Sequence, residues 1–519
     1  MGLVYVPGAL PCFEAFGNLP TDLVREDGLV DGRPASAVLD MLIIPGGSLV
    51  ESQTVTDRLV REIVNMANAG KFVLGICSGF QILSKGTDIG RLSAIPIVRE
   101  GLGLIDAEFK PLICTDQVKA TVVGKSCLTD EVGAEVSGFH CHTYGNVVLH
   151  KEAKPILISH SKRLDYHKNA QDLVSGISNR EGNVVGVTLH ALLDQNPLII
   201  QGVAKSLDLN SEELLEIRAA NSKLVDEIKG EVGINTSIRA KTAAALKGKK
   251  PRILMVTAMG SGSGKTFIVT GLAGALKKRG FNVGVVKVGG DIRDSVPALY
   301  LIKEPIRGYS SIRIGESGWK SLFEAVNEAS QDYDFLLIEG AMSAFTGILN
   351  DKVERPSSTA EVAAALGAPT IVVVACDKEG VEGALVNALN FVNLTKSLGV
   401  KTAGVVLNKV RTSYLNDEIK KVIKEAFEKA GVELVGIVPR IELEGRGTIP
   451  EVEIRYEEFG AKAIEVAERC IDLDKITKLA APTKETQLDY QAFVERFKNS
   501  LVTDFGFSAS KRGRVEKCS

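Results

Sequence analysis

The chain has 519 residues, 45% of them hydrophobic and 24% charged, with a formal net charge of −2. That length exceeds one ordinary core, so two or three domains are expected, and the near-neutral charge leaves no electrostatic footprint for nucleic acid. No apolar run approaches the roughly 18 residues of a membrane helix, the opening MGLVYVPGAL lacks the basic leader and apolar core of a signal peptide, and the eight scattered cysteines form no C-x-x-C pair, so they read as reduced thiols of a cytoplasmic protein.

Taken in chain order, short Val- and Ile-rich runs alternate with helical patterns. MLIIP (41–45) and FVLGI (72–76) are apolar without alternation, as strands buried on both faces of a parallel sheet are. The first leads into IIPGGSL (43–49), where two glycines let a backbone N–H approach a developing oxyanion. The second leads into Cys77 within VLGICSGFQIL (73–83). A sharp strand-to-helix turn exposes its central side chain, and the helix N-terminus favours an anion there, which suits a nucleophilic thiolate. GNVVGVTLHALLDQNPL (182–198) delivers His190 at a strand end, a candidate general base for Cys77. His142 reads as a satisfied loop histidine, and His140, His150, His160 and His167 as surface residues.

The segment 205–250 differs, with a charged helical pattern and then a basic stretch closed by Pro251. It reads as a helical spacer and linker. Residues 1–204 and 251–475 are then two α/β domains, each doubly wound with a mainly parallel sheet, and 476–519 a helix with a basic tail. In the second, AMGSGSGKT (258–266) lies between strand RILMVTA and a helix. It fits a phosphate-binding loop except that Met259 takes the first glycine position. Backbone groups from Gly260, Ser261, Gly262, Ser263 and Gly264 through Phe267 cradle phosphates there, Lys265 reaches the β- and γ-phosphates, and Thr266 binds Mg²⁺. YDFLLIEGAM brings Glu339 to a strand end as a Mg²⁺ carboxylate. VVKVGGDIRD brings Lys287, Asp291 and Asp294, with Asp291 as a further metal ligand. GVVLNKV ends in Asn408, an amide able to read adenine, and GIVPR places Pro439 against the base.

Pro45-Gly46-Gly47, the Cys77 turn and a late strand-borne histidine together resemble a class I glutamine amidotransferase. REGLGLID (99–106), VSGFHCHTYGN (136–146) and GVTLHALLDQ (186–195) are similar to the glutaminase domain of the cobyric acid and cobyrinic acid a,c-diamide synthases. The resemblance implies that Cys77 attacks the glutamine amide, His190 moves protons, and Gly47 and Ser78 supply oxyanion N–H groups. Many class I glutaminases carry a Glu two residues after the His, where this chain has Leu192; Asp194 is close by but receives no role. The second half resembles the dethiobiotin synthetase-like ATPase domain of the same enzymes. EGAMSAFTG (339–347) and KVGGDIRD (287–294) favour the a,c-diamide synthases. That family usually carries its ATPase domain first, and here the order is reversed.

The expected activity is therefore ATP- and glutamine-dependent amidation of a polycarboxylate, most simply the acetate side chains of a cobyrinate-type tetrapyrrole. A nickel tetrapyrrole of the coenzyme F430 route and a non-tetrapyrrole acid are alternatives, and a nucleotide-switch ATPase with a sensory glutaminase is the rival from another class. Glutamine, ATP and Mg²⁺ are the implied small molecules, no membrane partner is expected, and a homodimer is left open. Residues 291–318 depart most from the relatives and are expected to carry acceptor specificity.

Overall fold

The computed structural model describes residues 1–11, 13–230, 251–349, 354–411, 413, 415–442, 455–482 and 487–503. Cys12, Cys518, the basic stretch after the spacer helix and the basic C-terminal tail lie outside these residues. Two large sheets organise the rest. The first contains β1 (Gly2–Val4), β2 (Asp22–Val24), β3 (Met41–Ile44), β4 (Phe72–Ile76), β5 (Gln117–Val122), β6 (Glu135–Phe139), β7 (Lys154–Leu164), β8 (His167–Ser178) and β9 (Val184–Val187). Their spatial order is β6-β5-β7-β8-β9-β4-β3-β1-β2. From β9 to β2 the pairs are parallel, and from β6 to β9 they are antiparallel.

Burial explains this division. β3 and β9 are buried at every residue, as parallel strands covered by helices must be. β5, QVKATV, alternates exposed and buried residues along its length, so one of its faces is solvated, which antiparallel pairing tolerates. Helix α1 (Asp57–Asn68) covers the parallel half, with Leu59, Ile63 and Met66 buried. The short α2 (Ser78–Leu83) follows β4 directly. A four-stranded sheet of residues 86–88, 98–100, 107–110 and 146–149 packs beside it.

The spacer forms α3 (Ser211–Lys229), started by an Asn210–Glu213 capping box that satisfies two otherwise orphaned N–H groups. It docks on the first sheet's loops. Leu224 and Ile228 pack with Tyr5, and Asn221 Nδ2 donates to Pro20 O at 2.7 Å.

The second sheet is parallel throughout and runs β12-β11-β13-β10-β14-β15-β16. Its strands are β10 (Arg252–Ala258), β11 (Val283–Val288), β12 (Ser311–Ile312), β13 (Phe335–Glu339), β14 (Thr370–Ala375), β15 (Thr402–Val410) and β16 (Glu433–Pro439). The first strand in sequence, β10, lies at the centre, so the strands that follow are laid down on both sides of it, and the carboxyl ends at such a switch point form a ligand crevice. Helices α4 (Lys265–Lys278), α5 (Val296–Ile302) and α6 (Tyr456–Cys470) pack together on one side. The final described helix, α7 (Tyr490–Thr503), buries Phe493, Val494 and Phe497 against the sheet's other face. No helix among the described residues is long and apolar enough to cross a membrane, and the six described cysteines are free.

The two units are in contact through the loops that carry chemistry. Leu10, Phe13, Phe139 and Ala191 of the first unit share a core cluster with Trp319 and the α4 residues of the second. Ile306 N–H donates to Phe13 O at 3.1 Å, Gly8 N–H to Glu457 Oε1 at 2.9 Å, and Trp319 Nε1 to Thr115 O at 3.0 Å.

Candidate active site

Cys77 sits between β4 and α2 with φ +53° and ψ −108°, a conformation rare for a residue with a side chain and costing on the order of 1–3 kcal/mol. The surroundings impose it. A Cβ at Gly79 would lie 2.1 Å from Ile44 O, and one at Gly75 would lie 2.6 Å from the Gly79 backbone. Only glycines let the helix turn so tightly onto the strand. Cys77 N–H is fixed to Val187 O at 2.8 Å, which sends the thiol into a cavity of about 80 Å³.

His190 reaches the same cavity from the end of β9. Its ring is 1% exposed, stacked on Phe139 and edge-on to Phe13, each with centroids 5.3 Å apart. Gly46 closes over both groups: a Cβ there would lie 2.7 Å from His190 Cε1 and 3.4 Å from Cys77 Cβ. His190 Nδ1 is 2.5 Å from Glu14 Oε1, and Glu14 Oε2 accepts from Ala191 N–H at 2.6 Å. Burial disfavours the imidazolium, but the Glu14 charge and the hydrogen bonds that the ring makes to Glu14 and Cys77 outweigh it and raise the pKa to about 10. His190 therefore holds its proton at neutral pH.

Glu14 is the member that sequence reasoning missed. The third group was sought just after the histidine, but it comes from 176 residues upstream. The one available signal was a lone carboxylate between Phe13 and Phe16 in an otherwise apolar stretch, since such a group is rarely buried unless paired. Asp194 has a distinct place. It accepts from Ala15 N–H at 2.9 Å and Gly17 N–H at 2.7 Å, and so pins the loop that carries Glu14.

Two histidine readings are corrected. His140 is fully buried, with Nε2 2.8 Å from Ser159 Oγ, and is not a surface residue; burial pushes its pKa down to about 4. His142 is not satisfied. It is 4% exposed, neither ring nitrogen has a hydrogen-bond partner, and it lines the Cys77 cavity. Burial holds it well below the usual histidine range, so it is a neutral imidazole there. His150, His160 and His167 are exposed.

Gly47 and Ser78 both line the cavity. Gly47 has φ +142°, and a Cβ would lie 1.9 Å from Gly8 O, so no other residue fits. Ser78 opens α2, where N–H groups have no intrahelical acceptor. The remaining wall belongs to the second unit: Arg293, Val296, Pro297 and Tyr456.

The second cluster lies at the carboxyl end of β10. Gly262 and Gly264 have φ +71° and +84°, opening a backbone cradle ahead of α4. Lys265 Nζ donates to Met342 O at 2.8 Å, and burial lowers its pKa. Thr266 Oγ1 donates to Glu339 Oε1 at 2.8 Å, while the buried Glu339 Oε2 has no partner. Burial raises the Glu339 carboxyl. A hydroxyl beside a carboxylate with one orphaned oxygen fits Mg²⁺. Among the described residues no three acidic, His or Cys side chains cluster to hold a metal.

Lys287 lies 3.4 Å from Glu339 and 2.6 Å from Asp294; despite burial, those two carboxylates hold its pKa high. Asp291, expected at the metal, is paired with Arg293. The Arg293 guanidinium takes both its oxygens, at 2.9 and 2.8 Å, because one cation on a short loop is its nearest partner. Asn408 Nδ2 is spent on Ser263 O at 2.8 Å, and Lys409 Nζ on Gly262 O at 2.7 Å, so both brace the loop. Phe267 packs edge-on to Phe459 with centroids 5.3 Å apart. Pro439 ends β16, paired with Val410.

Residues 11–198 match the CobB/CobQ-like glutamine amidotransferase domain, and residues 254–447 match the CobQ/CobB/MinD/ParA nucleotide binding domain. Hydrogenobyrinate a,c-diamide synthase of Mycobacterium tuberculosis is 35% identical over 187 residues, covering 36% of this chain and 39% of that protein. Cobyrinate a,c-diamide synthase of Streptococcus sanguinis is 30% identical over 236 residues, 44% of this chain and 49% of the relative. That of Clostridium tetani is 28% identical over 271 residues, 51% and 58%. The chain thus spans less than two thirds of each of these relatives. Residues 11–198 thus form a domain of the CobB/CobQ-like glutamine amidotransferase family, and residues 254–447 one of the CobQ/CobB/MinD/ParA nucleotide-binding family.

Proposed function

We propose that the chain is an ATP-dependent, glutamine-hydrolysing amide ligase acting on acceptor carboxylates of a cobyrinate-type tetrapyrrole. The observation that carries this reading is the Cys77–His190–Glu14 constellation in a cavity whose far wall, Arg293, Val296, Pro297 and Tyr456, belongs to the nucleotide-binding domain. The names of the relatives support the acceptor class.

Cys77 Sγ attacks the carboxamide carbon of glutamine. The tetrahedral oxyanion is received by the Gly47 and Ser78 N–H groups. Collapse breaks the C–N bond, and His190 gives its proton to the departing ammonia, leaving a γ-glutamyl thioester. His190 then takes a proton from water, which hydrolyses the thioester to glutamate. Glu14 holds the ring through both transfers. In the second domain an acceptor carboxylate oxygen attacks the γ-phosphorus of ATP, ADP leaves, and an acyl phosphate forms. Ammonia attacks its acyl carbon, phosphate leaves, and the amide remains. Lys265 steadies the phosphates. Thr266 and Glu339 would hold Mg²⁺, which neutralises phosphate charge when bound. Free ammonia is largely protonated at neutral pH, so a source against the acceptor domain raises its effective concentration.

The test is ADP release with Mg-ATP and glutamine, using cobyrinate, nickel-sirohydrochlorin or no acceptor, with mass spectrometry of the product. Acceptor-dependent release with an amidated product, lost in Lys265→Ala and rescued by ammonia in Cys77→Ala, is expected. ATP turnover that responds to glutamine without any acceptor would refute the ligase in favour of a switch.

A further inference from the structure

A second cavity, of about 540 Å³, lies between the two domains, within the roughly 300–1,000 Å³ range of ligand pockets. The β7–β8 hairpin of the amidotransferase domain contributes Lys162, Arg163 and Lys168, and the other domain contributes Arg313 and Arg355. Five cations thus face three carboxylates, Asp116, Asp291 and Glu316, and the carboxylates are already engaged. Asp116 Oδ2 accepts from Ser161 Oγ and from the Lys162 and Arg163 N–H groups, each at 2.8 Å. Asp291 is held by Arg293, and Glu316 lies 3.9 Å from Arg355. Lys162 and Lys168 are exposed and make no ion pair among the described residues.

The position of the cavity matters as much as its charge. Gly290 and Asp291, directly after β11, form part of its wall. Arg293, which holds Asp291, also lines the Cys77 cavity and donates to Thr143 Oγ1 at 2.8 Å and to Tyr166 OH. One residue further on, Asp294 holds Lys287 beside Glu339. A single loop is therefore the wall of the cationic cavity, the partition from the glutamine pocket and the edge of the phosphate site.

We propose that this interdomain cavity binds the acceptor, an anion with several carboxylates, so that the reacting carboxylate lies against Gly290 and Asp291. The proposal rests on the ligase reading above and adds to it the place and the recognising charges. Lys162 and Lys168 attract the anion, Arg313 and Arg355 receive its further carboxylates, and Arg293 divides it from the ammonia source.

Equilibrium binding of cobyrinate to the full chain with Mg-ADP, at several ionic strengths, tests the proposal, with wild-type amidation of cobyrinate measured on the same preparation. The K162E/K168E pair is expected to weaken binding about tenfold or more, as reversal of two partly screened charges implies, and the K162R/K168R pair to keep it within about threefold. Wild-type affinity is expected to fall as salt rises. Thermal melts check that the variants fold. If wild type amidates cobyrinate and the charge-reversed pair binds it within about twofold of wild type, the acceptor site is elsewhere and the ligase reading stands. If wild type neither binds nor amidates cobyrinate, the ligase reading for this acceptor fails and the site falls with it.

Discussion

Glu14→Gln is the most discriminating single substitution, because it keeps the shape of the side chain while it removes the charge and exchanges one of the two oxygens that accept from His190 and Ala191 for a donor. His190 is fully enclosed and carries a pKa of about 10 against an ordinary value of 6.5. That difference is worth on the order of 5 kcal/mol between the two protonation states, with Glu14 the only carboxylate within ion-pair reach of the ring among the described residues. Without that charge, burial governs, and the His190 pKa is expected to drop below 7. The ring then enters the reaction neutral and in an unfixed tautomer, and glutaminase kcat is expected to fall by about 10²–10⁴-fold. NMR titration of the imidazole and glutamate release by the same preparation measure both effects. The sign for stability follows from the raised pKa. The pair's contribution is fully present below pH 6.5 and is lost as pH rises through about 10, so wild type and Glu14→Gln converge in unfolding free energy only above that pH. A wild-type His190 that titrates near 6.5, or a Glu14→Gln enzyme within about threefold of wild type, would refute the triad.

Three further substitutions separate packing from chemistry. Gly47→Ala forces a Cβ to 1.9 Å from Gly8 O at φ +142°, so urea unfolding is expected to show a loss of about 2–4 kcal/mol together with loss of glutaminase. His142→Phe removes an imidazole whose two nitrogens are buried without partners; the melt is expected to hold or rise, since a cost of about 1–3 kcal/mol disappears, while KM for glutamine rises about tenfold if the ring binds substrate, and an unchanged KM would assign it to the fold. Arg293→Ala breaks the bond to Asp291 and, across the domains, those to Thr143 and Tyr166, so the ratio of amide formed to glutamine hydrolysed is expected to fall, and an unchanged ratio would show that Arg293 is no partition.

Much of the chemistry is written locally. The phosphate loop needs glycines at positive φ before a helix, and the Cys77 turn needs Gly75 and Gly79 for the close strand–helix approach; such constraints act over a few residues and leave a contiguous motif. The buried strands β3, β11 and β13 are equally legible, because a strand covered on both faces must be apolar throughout. The antiparallel half of the first sheet was not legible as such, since QVKATV shows an exposed face but not which strands it will meet. Glu14 beside His190 and the cationic cavity between the domains come from segments far apart in the chain. Sequence determined which residues could serve as nucleophile, proton carrier and phosphate cradle. Tertiary structure alone chose their partners, because a buried charge is paired by whatever the packed core brings within about 3 Å, however distant in sequence.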